Sequence, residues 1–267
     1  KPAFRQNVET RDIKFVDFQI KASAADRSQV VKEMNDFQKQ LASAVDPAAV
    51  VSKSGSEIPY LGLPVSSKAY QQYPDIASKI DSLSVGTTGV VENAQDNTLN
   101  IIRVLSKAQL ADSIQFRQIN IAAATIDEAR AKADSIQKAL AGGADFDALA
   151  KRYGQTGEKV WFTGQQYEMA PSMNQDNRTF INALLNGEVN ATQNLALTQG
   201  NIILQVLDKK AFTTKTTAAV IKKVVDFSKA TRSNAYNKFS EFVAKSSTVA
   251  DLEKNAPKSG YQVQSLN

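Results

Sequence analysis

The sequence predicts an α+β fold made of two successive units of similar design and a shorter C-terminal segment. Two observations carry this prediction. Segments with the two-residue alternation of strands alternate with segments of helical apolar spacing, and landmark residues recur at a fixed distance along the chain. The chain has 267 residues, 42% of them hydrophobic, which suffices for the cores of one or two domains of roughly 100–200 residues.

The first unit begins with residues 13–20, whose alternating apolar and polar side chains predict a half-buried strand. Asp26 can start a helix that carries an apolar stripe, and Asp46 followed by Pro47 favours the start of a short helix. This short helix is expected over 48–53, and a helix over 76–83 and a strongly apolar strand over 98–105 follow it.

A short link over residues 106–112 leads into the second unit, which repeats this order. Its clearest feature is a joint between two helices, where Gly142 and Gly143 end one helix and Asp145 caps the next. The predicted elements are a strand over 114–121, a helix over 125–141, a short helix over 145–153, a short strand over 160–162, a helix over 179–185 and a closing strand over 201–207.

An internal repeat connects the two units. Phe15 matches Phe116, and the run Asn-Ile-Ile at 100–102 recurs at 201–203, both about 101 positions apart. Several such matches in order favour a duplicated domain with small insertions. The alternative is that two unrelated α+β units agree by chance.

The C-terminal segment predicts a partial third copy without a closing strand. A strand is expected over 220–225, a helix over 233–244 and a short helix before Gly260. The predicted organisation is therefore an entry segment at 1–12, a first domain at 13–108, a second domain at 113–211 and a C-terminal strand-helix segment at 212–267.

Residue composition excludes several kinds of chemistry. The chain has no cysteine and no histidine, so a disulfide, a thiolate nucleophile, a Ser-His-Asp triad and a histidine metal site are excluded. The net charge of +5 is small and is spread along the chain, so nucleic-acid binding is not expected. No glycine-rich phosphate loop or metal-ligand spacing occurs, and we expect no cofactor and no metal.

The chain contains no run of about 20 apolar residues that would span a membrane. It begins at Lys1 without a methionine, and we interpret it as a piece of a longer protein. Any membrane contact is therefore expected only through parts outside this segment.

Four stretches of the second unit form an ordered pattern. They read Gly-Gly-Ala-Asp-Phe-Asp-Ala-Leu-Ala-Lys-Arg-Tyr at 142–153, Glu-Lys-Val-Trp-Phe at 158–162, Leu-Leu-Asn-Gly-Glu-Val at 184–189 and Gly-Asn-Ile-Ile-Leu-Gln-Val-Leu-Asp-Lys-Lys at 200–210. The pattern resembles that of parvulin-type (PpiC, rotamase) peptidyl-prolyl cis–trans isomerases. That family reads Gly-Gly-Ala-Asp-Phe-x-x-Leu-Ala-x-x-Tyr, Gly-Asp-Leu-Gly-Trp-Phe, Leu-x-x-Gly-Glu-Val and Gly-Tyr-His-Ile-Ile-x-Val-x-Asp-x-Lys. The first unit matches more weakly, mostly through the repeat.

The resemblance implies two tandem parvulin-like domains over residues 13–210, each a small antiparallel, FKBP-like sheet wrapped by helices. With the C-terminal helical segment, they resemble the PpiD/SurA class of bacterial periplasmic folding factors. The implied function is isomerisation of Xaa-Pro bonds and chaperone binding of unfolded or nascent envelope proteins. The implied location is the periplasm, with an inner-membrane anchor in a segment outside this sequence.

Family members place a His on the first strand, a His on the last strand, and an Asp or Cys near Gly-Asp-Leu-Gly. The matching positions of the second unit are Gln118, Asn201 and Glu158, and the two strand positions of the first unit are Asp17 and Asn100. Both histidines are therefore missing from both units. Two interpretations stay open. Either isomerase activity is weak or lost and the domains are kept for binding, or Gln118, Glu158 and Asn201 form an active polar network.

An apolar slot for the prolyl ring is the other candidate feature. The candidate substrate-binding residues are Trp161, Phe162, Tyr167, Met169, Met173 and Phe180. The alternative is core packing, foremost for Phe162 and Phe180, while Tyr167, Met169 and Met173 are candidates for an exposed lip. A third interpretation of the whole chain is a structural or interaction module that spaces other parts of a longer protein.

Overall fold

A computed structural model describes residues 13–170 and 172–266. The strands in these ranges are β1 (Ile13–Val16), β2 (Thr88–Asn93), β3 (Thr98–Ile121), β4 (Val160–Thr163), β5 (Thr192–Leu197), β6 (Gly200–Val224) and β7 (Val263–Leu266). The α-helices are α1 (Ala24–Ser43), α2 (Pro47–Ser54), α3 (Pro74–Ser82), α4 (Ile126–Ala141), α5 (Phe146–Arg152), α6 (Gln165–Glu168), α7 (Gln175–Asn186), α8 (Lys229–Ala244) and α9 (Val249–Asn255). No helix in the described ranges combines the length with the apolar character that a bilayer crossing demands.

The chain forms two units, which are described separately. The larger unit runs from Met34 to Val224. The smaller unit combines the described residues up to Glu33 with those from Val225 onward. The division along the chain therefore falls inside α1 and again directly after β6.

Two long antiparallel strands organise the larger unit. β3 and β6 pair from Thr98 opposite Val224 to Ile121 opposite Asn201, and Leu110 faces Thr213 near the middle. We call this pair the β3–β6 ribbon. β2 pairs with the first part of β3, β4 with a later part of β3, and β5 with the first part of β6. All of these pairings are antiparallel.

The ribbon corrects the prediction of separate strands joined by a link. The predicted link at 106–112 lies inside β3, and the predicted strands at 201–207 and 220–225 are both parts of β6. No Gly or Pro interrupts 106–112, and its partner segment is rich in β-branched threonine, which favours strands. Because the two paired segments lie about 100 residues apart, local sequence patterns do not reveal their pairing.

Helices cover both faces of the second half of the ribbon. Ile119, Ile121 and Ile203 pack against α4 and α5, whereas Leu204 and Val206 pack on the other face with α7. The predicted helix joint is confirmed: α4 ends at Ala141, directly before Gly142 and Gly143, and Asp145 accepts a hydrogen bond from the Ala148 N–H at the start of α5. At the other end of α4, Thr125 accepts a hydrogen bond from the Glu128 N–H. These caps fix the helices that frame the sheet.

The strand predicted over residues 13–20 is not part of the first half of the ribbon. The last part of β6, with Ala218 and Val220, lies beside Ile102 of β3 and packs with Ile76 and Ile80 of α3. The predicted strand at 13–20 does not join this sheet. Residues 13–16 of this segment form β1, which pairs instead with β7, a strand that the sequence does not predict.

The smaller unit has an aromatic cluster of its own. The ring of Phe18 stacks on Phe239 at 4.2 Å between centroids, and Tyr261 meets Phe239 edge-on at 5.5 Å. Asp26 accepts hydrogen bonds from the Ser23 backbone N–H and the Thr231 hydroxyl. These contacts join the start of α1 to α8.

Candidate functional site

Gln118 and Glu158 meet at one open cavity of about 410 Å³. We call it the Gln118 cavity, and its lining residues are Phe116, Gln118, Gly154, Gln155, Thr156, Gly157, Glu158 and Val160. Phe116 and Gln118 are two residues apart on β3 and therefore face the same side of the sheet, the side that α7 covers. Two of the three sequence-predicted polar positions thus share one cavity.

The loop that forms one wall of the cavity is fastened to β3 by Gln155. Its side-chain carbonyl accepts a hydrogen bond from the Asn120 N–H at 2.9 Å, and its amide group donates to the Asn120 C=O at 2.7 Å. Gly154 and Gly157 have φ angles of 70° and 66°, which suit glycine and let the chain turn sharply on either side of Gln155. This loop carries Glu158 to the mouth of the cavity.

Asn201 lies on the opposite face of the sheet. It is paired with Ile121, whereas Gln118 is paired with Leu204, and side chains alternate between faces along each strand. The Asn201 amide donates to the Asn194 side-chain carbonyl at 2.8 Å, and Asn194 donates to Asp134 of α4 at 2.8 Å. The predicted grouping of Asn201 with Gln118 and Glu158 is therefore not formed.

A one-residue shift in register explains this difference. Placed without a gap against Gly-Tyr-His-Ile-Ile-x-Val, the run from Gly200 to Val206 puts Ile202 at the histidine and Asn201 at the tyrosine. Ile202 is half-buried and packs against the core on the α7 side, the same side as Gln118. Counting residues from Gly200 would have identified Ile202, and not Asn201, as the residue at the histidine position. The Ile202 side chain cannot form a hydrogen bond.

Asp17 and Asn100, the two strand positions of the predicted first domain, have separate surroundings. Asp17 belongs to the smaller unit and accepts a hydrogen bond from Gln264 at 3.0 Å. Asn100 belongs to the larger unit, is fully buried and donates to Asp75 of α3 at 3.4 Å. The predicted first domain at 13–108 is therefore divided between the two units of the structure.

The predicted slot residues divide between the two faces of β4. Phe162 stacks on Tyr167 at 5.8 Å between ring centroids, and Tyr167 is 2% exposed with its hydroxyl donating to the Pro64 C=O at 2.6 Å. Trp161 alternates to the other face, where it is 41% exposed and carries Lys210 over its ring at 4.7 Å. Tyr167 is thus a core residue, and Trp161 does not line the Gln118 cavity.

The remaining slot candidates are spread over the α7 side. Met173 and Phe180 pack against the core, and Phe180 meets Phe116 edge-on at 5.5 Å between centroids. Met169 is 46% exposed and lines two other cavities, one of about 140 Å³ with Tyr70 and one of about 420 Å³. None of the six slot candidates lines the Gln118 cavity itself, although Phe180 contacts the lining residue Phe116.

A buried ionic cluster, which the sequence does not predict, lies near the middle of the ribbon. The Lys215 side chain is fully buried and contacts both Asp112, at 2.7 Å, and Glu168. Glu168 also accepts from the backbone N–H and the hydroxyl of Ser66, at 2.9 and 2.6 Å. Burial acts to lower the pKa of Lys215, but the hydrogen bonds to Asp112 and Glu168 outweigh it and the pKa lies above its usual value. The cluster ties the segment before α3 and helix α6 to β6.

The described side chains define a polar cavity at a sheet edge. Among the residues that the structure describes, no group of three or more potential metal ligands lies together. Gln118 and Glu158 can offer a hydrogen-bond donor and a carboxylate next to the apolar surfaces of Phe116 and Val160. This arrangement suits binding of a peptide.

Comparison with known families assigns this part of the chain. Residues 99–210 match the model of the PPIC-type PPIASE domain. The match supports, for these residues, the resemblance to parvulin-type peptidyl-prolyl cis–trans isomerases. It covers less than half of the chain. No curated protein matches the chain, and no solved structure matches it.

Proposed function

We propose that the chain binds unfolded, proline-containing polypeptides and that the Gln118 cavity is its prolyl isomerase site, with low activity. The observation that carries the proposal is the position of the cavity. It lies wholly within the segment that matches the isomerase family. It also brings together the two polar residues that correspond to family positions.

The reaction needs no covalent chemistry. Rotation about a peptide bond has a barrier of about 18–20 kcal/mol, and the Xaa-Pro bond exchanges slowly because of it. A catalyst has to bind the twisted amide more tightly than the planar one. The Gln118 side-chain amide can donate a hydrogen bond to the twisted amide. In the free chain it donates to the Asn120 side-chain carbonyl at 3.3 Å, a long hydrogen bond that a substrate can replace.

Low activity follows from the exposure of these groups. Glu158 is exposed and Gln118 is only half-buried, so water competes for both and weakens their electrostatic effect. Ile202 adds apolar surface and no hydrogen bond. The site therefore resembles a binding groove with a modest preference for the twisted amide.

We further propose that the chain is part of a tandem-domain folding factor of the PpiD/SurA class in the bacterial periplasm, anchored in the inner membrane outside this segment. The order of elements supports a tandem origin: α1, α2 and α3 precede β2 and the start of β3, as α4, α5 and α7 precede β5 and the start of β6. Several weak sites on one chain would gain affinity for a client through effective concentration.

A protease-coupled isomerisation assay with a blocked Ala-Ala-Pro-Phe peptide tests the isomerase proposal. We expect measurable acceleration at tens of micromolar chain, and a loss of about fivefold in kcat/KM for Gln118→Ala, the cost of roughly one hydrogen bond. Gln115→Ala is the matched control, because Gln115 lies on the same strand and faces away from the cavity. No acceleration, or equal losses in both variants, would contradict the proposal.

The client-binding proposal has its own assay. The chain is expected to slow the aggregation of a chemically unfolded envelope protein and to bind proline-containing peptides. If it does neither and also fails to accelerate isomerisation, the chain serves as a structural module and the proposal is wrong.

A further inference from the structure

The edge of β3 has a gap of one residue at Gln118. β4 pairs with this edge from Ser113 opposite Thr163 to Phe116 opposite Val160. Each step along β3 moves one step back along β4, so the next position on this edge, Gln118, would lie opposite residue 158. The chain turns at Gly157 before β4 begins, and the Gln118 cavity occupies the place of the missing pair.

The backbone of Gln118 points into this gap. Alternate residues of a strand direct their N–H and C=O groups to the same edge. The Asp112 C=O accepts from Gly164 on this edge, and the Asn120 N–H and C=O bond to Gln155 there. Gln118 has the same parity and therefore presents one donor and one acceptor to the cavity, between two positions that are filled.

The corresponding edge of the other half of the ribbon is closed. There the Ser56 hydroxyl donates to the Val220 C=O at 3.2 Å and accepts from the Lys222 N–H at 3.0 Å. The Glu57 N–H donates to the Lys222 C=O at 3.1 Å. The loop after α2 thus covers β6, whereas the loop after α5 leaves β3 open at Gln118.

We propose, on the basis of the isomerase function above, that the residue preceding proline in a substrate binds in this gap by pairing its backbone with that of Gln118. Proline itself cannot take the position because it has no N–H. The residue before proline is restricted to extended conformations, which are those of a strand. Its N–H donates to the Gln118 C=O, and its C=O accepts from the Gln118 N–H.

This pairing holds the reacting group directly. The carbonyl of the residue before proline belongs to the amide that rotates, so a bond from the Gln118 N–H fixes one side of the amide while the prolyl side turns. The occupant is therefore an extended Xaa-Pro segment in which Xaa carries a backbone N–H. Pro-Pro sequences, and peptides methylated at the Xaa nitrogen, are excluded from the gap.

Amide hydrogen exchange of the whole chain, followed by NMR, tests the pairing. The probes are blocked Ala-Ala-Pro-Phe and the same peptide methylated at the nitrogen of its second alanine. In the free chain, the Gln118 N–H is expected to exchange faster than the Asn120 N–H, which Gln155 protects. At saturating unmethylated peptide, Gln118 exchange should slow at least about tenfold, and the methylated peptide should bind at least about tenfold more weakly.

Two results would overturn the pairing: unchanged exchange at Gln118 under saturation, or equal affinity of the two peptides. Catalysis is scored separately with the same peptides. Acceleration of both peptides alike leaves the isomerase proposal standing and the pairing wrong. Protection of Gln118 without acceleration supports the pairing as peptide binding and contradicts the isomerase proposal.

Discussion

Gln118 and Asn201 lie on neighbouring strands of one sheet, but their side chains point to opposite faces. Gln118 lies at the open cavity on the α7 side. Asn201 donates a hydrogen bond to Asn194, which donates to Asp134 on α4. We call these two hydrogen bonds the relay. The polar network expected from the sequence therefore separates into one part that can meet a peptide and another that joins strands to a helix.

The relay predicts a stability effect for Asn201→Ala. The substitution removes the donor that Asn194 accepts from, and we expect the free energy of unfolding to fall by about 1 kcal/mol. Asn194→Ala should cost a similar amount, and the double variant less than the sum, because both single changes remove one shared contact. Urea denaturation measures all three. Fully additive losses would contradict the relay.

The buried cluster predicts a larger loss for Lys215→Met. The substitution leaves Glu168, which is 7% exposed, without its cation, and such an unpaired buried charge costs about 3–5 kcal/mol. The double variant Lys215→Met with Glu168→Met is the control and should recover at least half of the loss. If Lys215→Met alone lowers the free energy of unfolding by less than about 1 kcal/mol, the loss expected for a surface pair, the cluster is not buried in solution.

Alkaline pH is expected to destabilise the larger unit. Burial raises the pKa of Tyr70 to about 12 and that of Tyr167 to about 12, from the ordinary value of 10.0. Groups whose folded pKa is raised stabilise the fold fully below the unfolded pKa, and that stability is lost as pH rises through the folded value. The urea concentration at the unfolding midpoint should therefore decrease as the pH is raised from 10 to 12. The decrease should be smaller in the Tyr70→Phe variant. A flat profile up to pH 12 would contradict the burial of both hydroxyls.

Isomerase activity is expected to be independent of pH between about 6 and 9. The chain has neither histidine nor cysteine, the side chains that ordinarily titrate in this range. The measurement is kcat/KM for the Ala-Ala-Pro-Phe peptide at half-unit steps of pH. A sigmoidal change with a midpoint near 7 would require a titrating group that the proposed site lacks.

Gln155→Ala is expected to open the edge of β3 further. The substitution removes both hydrogen bonds to the Asn120 backbone, so the Asn120 N–H should exchange at least about tenfold faster. Gln155→Glu is the matched control, because it keeps an acceptor for the Asn120 N–H and replaces the donor to the Asn120 C=O by a carboxylate oxygen. Unchanged exchange at Asn120 in Gln155→Ala would mean that Gln155 does not fasten this loop.

Local signals predict the helices well. Asp46 and Asp145 each cap a helix as expected, since caps act through backbone groups two or three residues away. The short strand predicted at 160–162 is also confirmed as β4. These features depend on neighbours in the sequence and can be recognised without knowing the fold.

Features that depend on distant partners could not be predicted. The run 106–112 becomes strand because 212–217 lies beside it, and β1 finds its partner in β7. The face of the sheet on which Asn201 lies depends on the register of β6. A shift of one residue in that register would move its side chain to the other face. Lys215 carries no local sign of burial, because its partners Asp112 and Glu168 lie far away along the chain.

Chemical-shift mapping of the isotope-labelled chain with blocked Ala-Ala-Pro-Phe tests the central claim most directly. The account predicts that the largest changes cluster at Phe116, Gln118 and the loop at 154–160. The cavity beside Tyr70 and Met169 serves as the internal comparison, since it is also accessible and partly apolar. Changes confined to Tyr70 and Met169, or no changes at millimolar peptide, would contradict the assignment of the Gln118 cavity as the peptidyl-prolyl site.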